Sequence, residues 1–99
     1  MKTIIDGKKY DTDTARWVGC FDNRYGNFSD YKESLYLKKT GEFFLDGEGG
    51  PSSKYAQSIG NMSGSGYGII PLSINAARNW VEKHCSIELY EELFGETPE

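Results

Sequence analysis

Long hydrophobic runs are absent from the chain, and its first residues contain no apolar segment of the secretory type. The mean hydropathy is −0.61, and no apolar run approaches the ~18 residues that a transmembrane helix needs. Met1–Asp6 lacks the hydrophobic core of a signal peptide. We therefore expect a cytoplasmic protein that does not enter a membrane.

Histidine and cysteine are scarce: the chain has His84, Cys20 and Cys85. Their spacing fits no close metal or redox motif, and without an export signal both cysteines are expected to be reduced. Two enzymatic alternatives use them, namely a thiolate nucleophile with a histidine base, and a zinc ion completed by a carboxylate. Cys85 belongs to the apolar stripe of a predicted helix, where adjacent side chains point about 100° apart. We therefore predict no enzyme activity, no metal and no cofactor.

Two glycine clusters, Gly47–Gly50 and Gly64–Gly68, lack the Gly-Lys-Ser/Thr ending of a phosphate-binding loop. No clear hydrophobic periodicity is present between them. Residues 47–68 are therefore predicted to be a long connection, of the kind that is often functional or mobile.

Alternating apolar residues in Ser34–Asp46 predict a β-hairpin with a defined register. Gly41 closes a three-residue loop, where a positive φ is needed. The predicted cross-strand pairs are Leu35 with Leu45, Tyr36 with Phe44, Leu37 with Phe43, and Lys38 with Glu42. One face is then wholly apolar and needs a cover, because a two-stranded ribbon is not stable alone in water.

Four further strands are predicted from short apolar patterns. Residues 2–12 suggest a hairpin with a type II′ turn, in which Gly7 is the first central residue and Ile5 opposes Tyr10. Ala15–Phe21 is the next strand, and its predicted face consists of Trp17, Gly19 and Phe21. Ile69–Leu72 is predicted to be an edge strand, since Pro71 cannot donate a ladder hydrogen bond.

Helical periodicity begins after Ser73, a good N-cap, and continues after a second cap at Ser86. The apolar face of the first helix comprises Ile74, Ala77, Val81 and Cys85, and that of the second comprises Ile87, Tyr90, Leu93 and Phe94. Strands come first and helices last. We therefore predict one α+β domain over residues 1–99, β-rich over 2–72 and helical over 73–94. Its antiparallel sheet of hairpins has one face covered by the C-terminal helices.

The net charge of −4 is spread unevenly, because nine of the eleven Lys and Arg residues lie in residues 1–54. The acidic C-terminal part argues against general nucleic-acid binding and favours a basic protein partner. Tyrosines of the glycine-rich segment are predicted anchors for such a partner. The predicted partner-binding residues are Glu82, Glu88, Glu91, Glu92, Tyr55 and Tyr67.

Lysines at the two predicted hairpin tips support an alternative function. They are Lys8, Lys9, Lys38 and Lys39. With neighbouring tyrosines they are candidates for a phosphate-binding patch. In this alternative the chain is a small regulatory module that binds nucleic acid or a peptide through its sheet and basic tips.

Three segments carry a resemblance to a known group of proteins: Ile5–Ala15, Leu35–Ala56, and Ile69–Ser73 followed by Ala77, Trp80 and Glu82. In this order they resemble small proteins encoded on phages and conjugative elements of bacteria, a setting whose products include anti-CRISPR inhibitors. The resemblance fixes no catalytic residue. It implies a non-enzymatic inhibitor that binds a host effector nuclease and blocks nucleic acid or activation.

Overall fold

The computed structural model describes residues 2–22, 30–51, 53–59, 62–64 and 66–95. The elements are β1 (Lys2–Ile5), β2 (Lys8–Asp11), β3 (Arg16–Asp22), β4 (Tyr31–Leu37), β5 (Phe43–Gly49), β6 (Gln57–Ile59), β7 (Met62–Gly64), β8 (Gly66–Leu72), α1 (Ile74–His84) and α2 (Ile87–Phe94). The main sheet is antiparallel in the order β3-β4-β5-β8, and β1-β2 and β6-β7 form separate two-stranded sheets. The predicted α+β fold, with helices covering one face of an antiparallel sheet, is confirmed. No helix within the described ranges is long and apolar enough to cross a membrane.

The central hairpin β4–β5 has the predicted register. Leu35 pairs with Leu45, and Leu37 pairs with Phe43. The N–H of Gly41, whose φ is +93°, donates to the carbonyl of Lys38 at 2.9 Å. The hydrogen-bonded ladder therefore closes on the three-residue loop that the sequence predicts.

Hydrophobic side chains of the hairpin pack against α1. The buried core consists of Val18, Leu35, Phe43, Leu45, Ala77, Trp80 and Val81. Half-buried residues of α2, including Leu89 and Phe94, extend it. The Ser73 and Ser86 hydroxyls accept the N–H groups of Ala76 and Leu89, so both helices begin at the predicted caps.

Two isoleucines predicted to face the core are exposed. Ile74 is 52% exposed and Ile87 is 73% exposed. Each is the first residue of its helix. Because helical side chains lean toward the N-terminus, a first residue extends beyond the surface that the following turns cover.

A β-bulge changes the faces predicted for β3. The pairing with β4 shifts between Trp17 and Gly19. Val18 is buried, while Trp17 is 55% exposed. A Cβ on Gly19 would lie 3.2 Å from the Cys85 sulfur, so this glycine faces α1. The predicted shared face of Trp17 and Gly19 is therefore wrong, because the bulge inserts one extra residue between them.

The first hairpin also has a different register from the one predicted. Asp6 and Gly7 both have positive φ, +52° and +77°, which defines a two-residue type I′ turn. Ile5 therefore opposes Lys8, and Tyr10 opposes Thr3. This hairpin packs on the sheet face opposite the helices, which we call the outer face, where Tyr10 contacts Phe44 edge-on at 5.4 Å.

The segment 47–68 contains strands rather than the predicted long connection. β5 continues to Gly49, and β8 begins at Gly66, directly opposite it. Residues 57–59 pair with 62–64. Glycine-rich strands show no hydrophobic alternation, which is why periodicity did not reveal them. The edge position predicted for Ile69–Leu72 is confirmed, since β8 ends the main sheet.

Candidate functional site

A fully buried carboxylate connects three parts of the fold, namely the main sheet, the turn that follows β5, and helix α1. Glu33 of β4 is 0% exposed. Its Oε2 accepts the Tyr55 hydroxyl at 2.5 Å, and its Oε1 accepts the Trp80 indole N–H at 3.1 Å. The Lys54 ammonium is ion-paired with the same carboxylate. We call these four residues the Glu33 network.

The Glu33 network keeps its carboxylate charged despite burial. Burial acts to raise the pKa of Glu33, but the hydrogen bonds from Lys54, Tyr55 and Trp80 outweigh it, so the pKa lies below its usual value. Sequence analysis did not identify this network. The alternation of side chains along β4 gives one indication of it. Glu33 lies two positions before Leu35, so it faces the helices as Leu35 does.

Tyr55, a predicted partner anchor, belongs to this network and is only 6% exposed. A Cβ on Gly47 would overlap its ring, so the strand needs glycine there. Burial and the adjacent Glu33 carboxylate both raise the pKa of the Tyr55 hydroxyl, which keeps it protonated as a donor. Its side chain therefore does not offer a surface to a partner.

His84, Cys85 and Cys20, the residues of the thiol and zinc alternatives, lie in different environments. The His84 ring stacks on Phe21 at 4.0 Å and meets Trp80 edge-on at 4.9 Å, and burial lowers its pKa. Cys85 is half-buried, and burial raises its thiol pKa, the reverse of nucleophile activation. Cys20 pairs with Ser34 on the outer face and is exposed. Among the residues described, no group of three or more His, Cys, Asp or Glu side chains is placed to hold a metal ion.

The four predicted glutamates of the helices have different environments. Glu82 and Glu88 are exposed and make no ion pair with another residue in the described part of the chain. Glu92 is exposed but bonded to Arg16, with 3.0 Å between Oε1 and Nη2. Glu91 is half-buried and takes part in a polar or electrostatic contact. Among the described residues, the exposed helical carboxylates without an ion pair are therefore those of Glu82 and Glu88.

A shallow groove lies at the junction of the two helices. Its volume is about 310 Å³, and its lining consists of Glu82, Cys85, Ser86, Ile87 and Tyr90. The exposed Ile87 side chain gives the lining an apolar surface, and the Glu82 carboxylate lies beside it. We call this groove the junction groove. Sequence analysis missed it because Ile87 was assigned to the core.

Tyr67, the other predicted aromatic anchor, lies on the outer face and is 73% exposed. It opposes Glu48 across β5 and β8. Tyr67 and Glu48 line a depression of about 300 Å³. The rest of its lining consists of Lys32, Ser34, Asp46 and Gly47. Because the helices cover the inner face, Tyr67 and the helical glutamates do not form one surface.

The two basic hairpin tips do come together. A depression of about 350 Å³ is lined by Lys8, Lys9, Lys38 and Lys39, together with Asp11, Thr14, Ala15 and Thr40. Glu42 bonds Lys8 at 3.0 Å and Lys38 at 3.2 Å, and these hydrogen bonds lower the pKa of Glu42 to about 2. Lys9 lies 3.9 Å from the Asp11 carboxylate. Three of these lysines are thus already paired with carboxylates of the same surface.

Comparison of the chain with protein-family models, curated proteins and solved structures finds no match.

Proposed function

We propose that this chain is a non-enzymatic anti-defence protein, similar to anti-CRISPR inhibitors of mobile elements, that binds a host effector nuclease by protein–protein contact. The helices present the negative surface and the sheet serves as the scaffold. The partner surface is basic, such as a nucleic-acid channel, and its occupation excludes nucleic acid or prevents activation.

The carboxylates of Glu82 and Glu88, which are exposed and have no ion pair with another described residue, carry this proposal. Around them, Ile74–Gly95 contains four glutamates against Arg78 and Lys83. Arg78 lies over the Phe94 ring, with 5.4 Å between the guanidinium carbon and the ring centroid. Because these two carboxylates have no ion pair to break within the described part of the chain, pairing with a basic surface gains electrostatic free energy without that loss.

The environments of the sulfur and imidazole groups support a binding role rather than catalysis. His84 serves as a packing ring between Phe21 and Trp80. The raised thiol pKa of Cys85 leaves little thiolate near neutral pH. These side chains contribute to the helix–sheet interface.

Inhibition measurements on effector nucleases test the proposal. The chain is titrated into each candidate nuclease, DNA cleavage is measured, and co-elution is followed by gel filtration. We expect inhibition with co-elution, and a Glu82→Lys variant that inhibits roughly tenfold less well or worse, because one close charge pair becomes repulsive. Lysine near the end of α1 also suits the helix dipole, so this variant should fold.

Glu48→Lys is the matched control, since it reverses one exposed charge on the outer face. It should inhibit as well as the parent chain. An absence of both inhibition and co-elution across the nucleases would remove the proposed function. Equal losses in the two variants would show that only net charge matters.

The joined lysine tips favour the alternative, a regulatory module that binds nucleic acid. A DNA titration at two salt concentrations separates the two functions. Phosphate contacts by several lysines predict a steep loss of affinity at the higher salt concentration. The inhibitor proposal predicts no DNA binding at either concentration, because three of the four lysines already hold carboxylates.

A further inference from the structure

The junction groove combines an exposed isoleucine with a carboxylate at its rim. Ile87 is 73% exposed although it lies within an otherwise core-facing layer of helices. Beside it stand Tyr90 and the half-buried Cys85, with Glu82 at the rim. A contact that covers the Ile87 side chain would remove its apolar surface from water, which favours binding at this groove.

The groove's volume of about 310 Å³ limits what it can receive. This is at the lower end of the range for small-molecule pockets, and the groove is an open depression rather than a cavity. A single apolar side chain of a protein fits such a depression better than a free ligand. The Glu82 carboxylate lines this apolar floor, and the exposed Glu88 is the residue after Ile87 in α2.

We infer that the junction groove receives one apolar side chain from a lysine- or arginine-rich amphipathic segment of a protein partner, with Glu82 and Glu88 pairing its flanking cations. Charge complementarity identifies the occupant. Neither carboxylate has an ion-pair partner among the residues described, whereas the lysines at the hairpin tips are largely paired. This inference deepens the proposed function and rests on it for the biological partner.

Two substitutions of equally exposed isoleucines make a sharp test. Ile87→Asp removes the apolar side chain from the groove but adds negative charge. Aspartate also suits the first turn of α2, so the variant should fold. Ile4→Asp is the matched control, since Ile4 of β1 is 72% exposed. If attraction were purely electrostatic, both variants would bind a basic segment more tightly than the parent chain.

The probe is a short synthetic peptide of lysine and leucine with leucines at helical i, i+3, i+4 spacing. A peptide of the same composition with dispersed leucines is its control. Binding is followed by amide chemical shifts of the full chain. We expect the largest chemical-shift changes over residues 82–90. Ile87→Asp should weaken the affinity for the amphipathic peptide roughly tenfold or more. Ile4→Asp should not weaken that affinity, and the peptide with dispersed leucines should not bind.

Three results of the peptide experiment would overturn the inference: shifts centred on the outer face, equal binding of both peptides, or tighter binding by Ile87→Asp. The proposed function is tested separately by nuclease inhibition. If the chain inhibits no nuclease but Ile87→Asp weakens peptide binding, the groove remains and the inhibitor proposal falls. If nuclease inhibition survives Ile87→Asp unchanged, the groove inference falls and the inhibitor proposal remains.

Discussion

Replacing Glu33 with glutamine tests whether the buried charge holds the fold together. The side chain is 0% exposed, and its partners come from the turn after β5 and from α1. Glutamine keeps an oxygen that can accept the Trp80 N–H. Its amide nitrogen cannot accept the Tyr55 hydroxyl, and the Lys54 ammonium loses its counter-charge. The substitution therefore removes the charged contacts with little change in volume.

The expected cost follows from the bonds that are lost. A hydrogen bond to a charged group contributes about 1.5–3 kcal/mol, and Lys54 can return to water because its side chain is 47% exposed. We therefore expect Glu33→Gln to lower the free energy of unfolding by about 2–3 kcal/mol. Glu33→Ala should cost roughly 3–5 kcal/mol, since it also strands two buried donors and leaves a cavity. For a domain of this size, each kcal/mol shifts the Tm by about 4–8 °C.

Urea unfolding followed by circular dichroism measures these differences, with Glu48→Gln on the outer face as the control. Glu48 is exposed but takes part in a polar contact, so that control should cost at most about 1 kcal/mol. If Glu33→Gln also stays within that margin, the network does not stabilise the fold and the reasoning is refuted. An equal loss in Glu48→Gln would refute it as well.

Acid should weaken the same network. The folded-state pKa of Glu33 is lowered, so its contribution is fully present above the ordinary glutamate pKa and is lost as the pH falls through the folded value. Glu33→Gln lacks this titration and should lose less stability on acidification than the parent chain does.

Two further substitutions test local packing, each by urea unfolding. Gly47→Ala should cost about 1–3 kcal/mol because the new methyl group overlaps the Tyr55 ring, whereas its cross-strand partner Gly68 faces open space, so Gly68→Ala should be close to neutral. Equal effects at both glycines would contradict this packing. Ser73→Ala should cost about 0.5–2 kcal/mol by removing the cap of the Ala76 N–H. A loss below a few tenths would show that water replaces the cap.

The central hairpin could be predicted because independent local signals agree. Alternating apolar residues specify the faces of β4 and β5, and Gly41 specifies the turn. A one-residue slip would place Glu42 on the apolar face. The caps at Ser73 and Ser86 are equally local, since each involves a side chain and an N–H three residues away.

The parts that sequence analysis missed depend on contacts between distant residues. Glu33 meets Tyr55 across 22 residues and Trp80 across 47, and no spacing rule connects them. The bulge at Val18 breaks the alternation on which the face of Trp17 was predicted. Ile87 fits the apolar periodicity of α2, but its exposure depends on where α2 begins relative to the sheet.

The proposed function requires the negative surface of the helices to occupy a basic, nucleic-acid-binding surface of its target. Competition tests it most directly: binding of the chain to an inhibited nuclease is measured at rising nucleic-acid concentrations. We expect the apparent affinity to fall as nucleic acid is added, with Glu82→Lys outcompeted at lower nucleic-acid concentrations than Glu48→Lys. Binding that is unchanged by nucleic acid, and equal in the two variants, would contradict it.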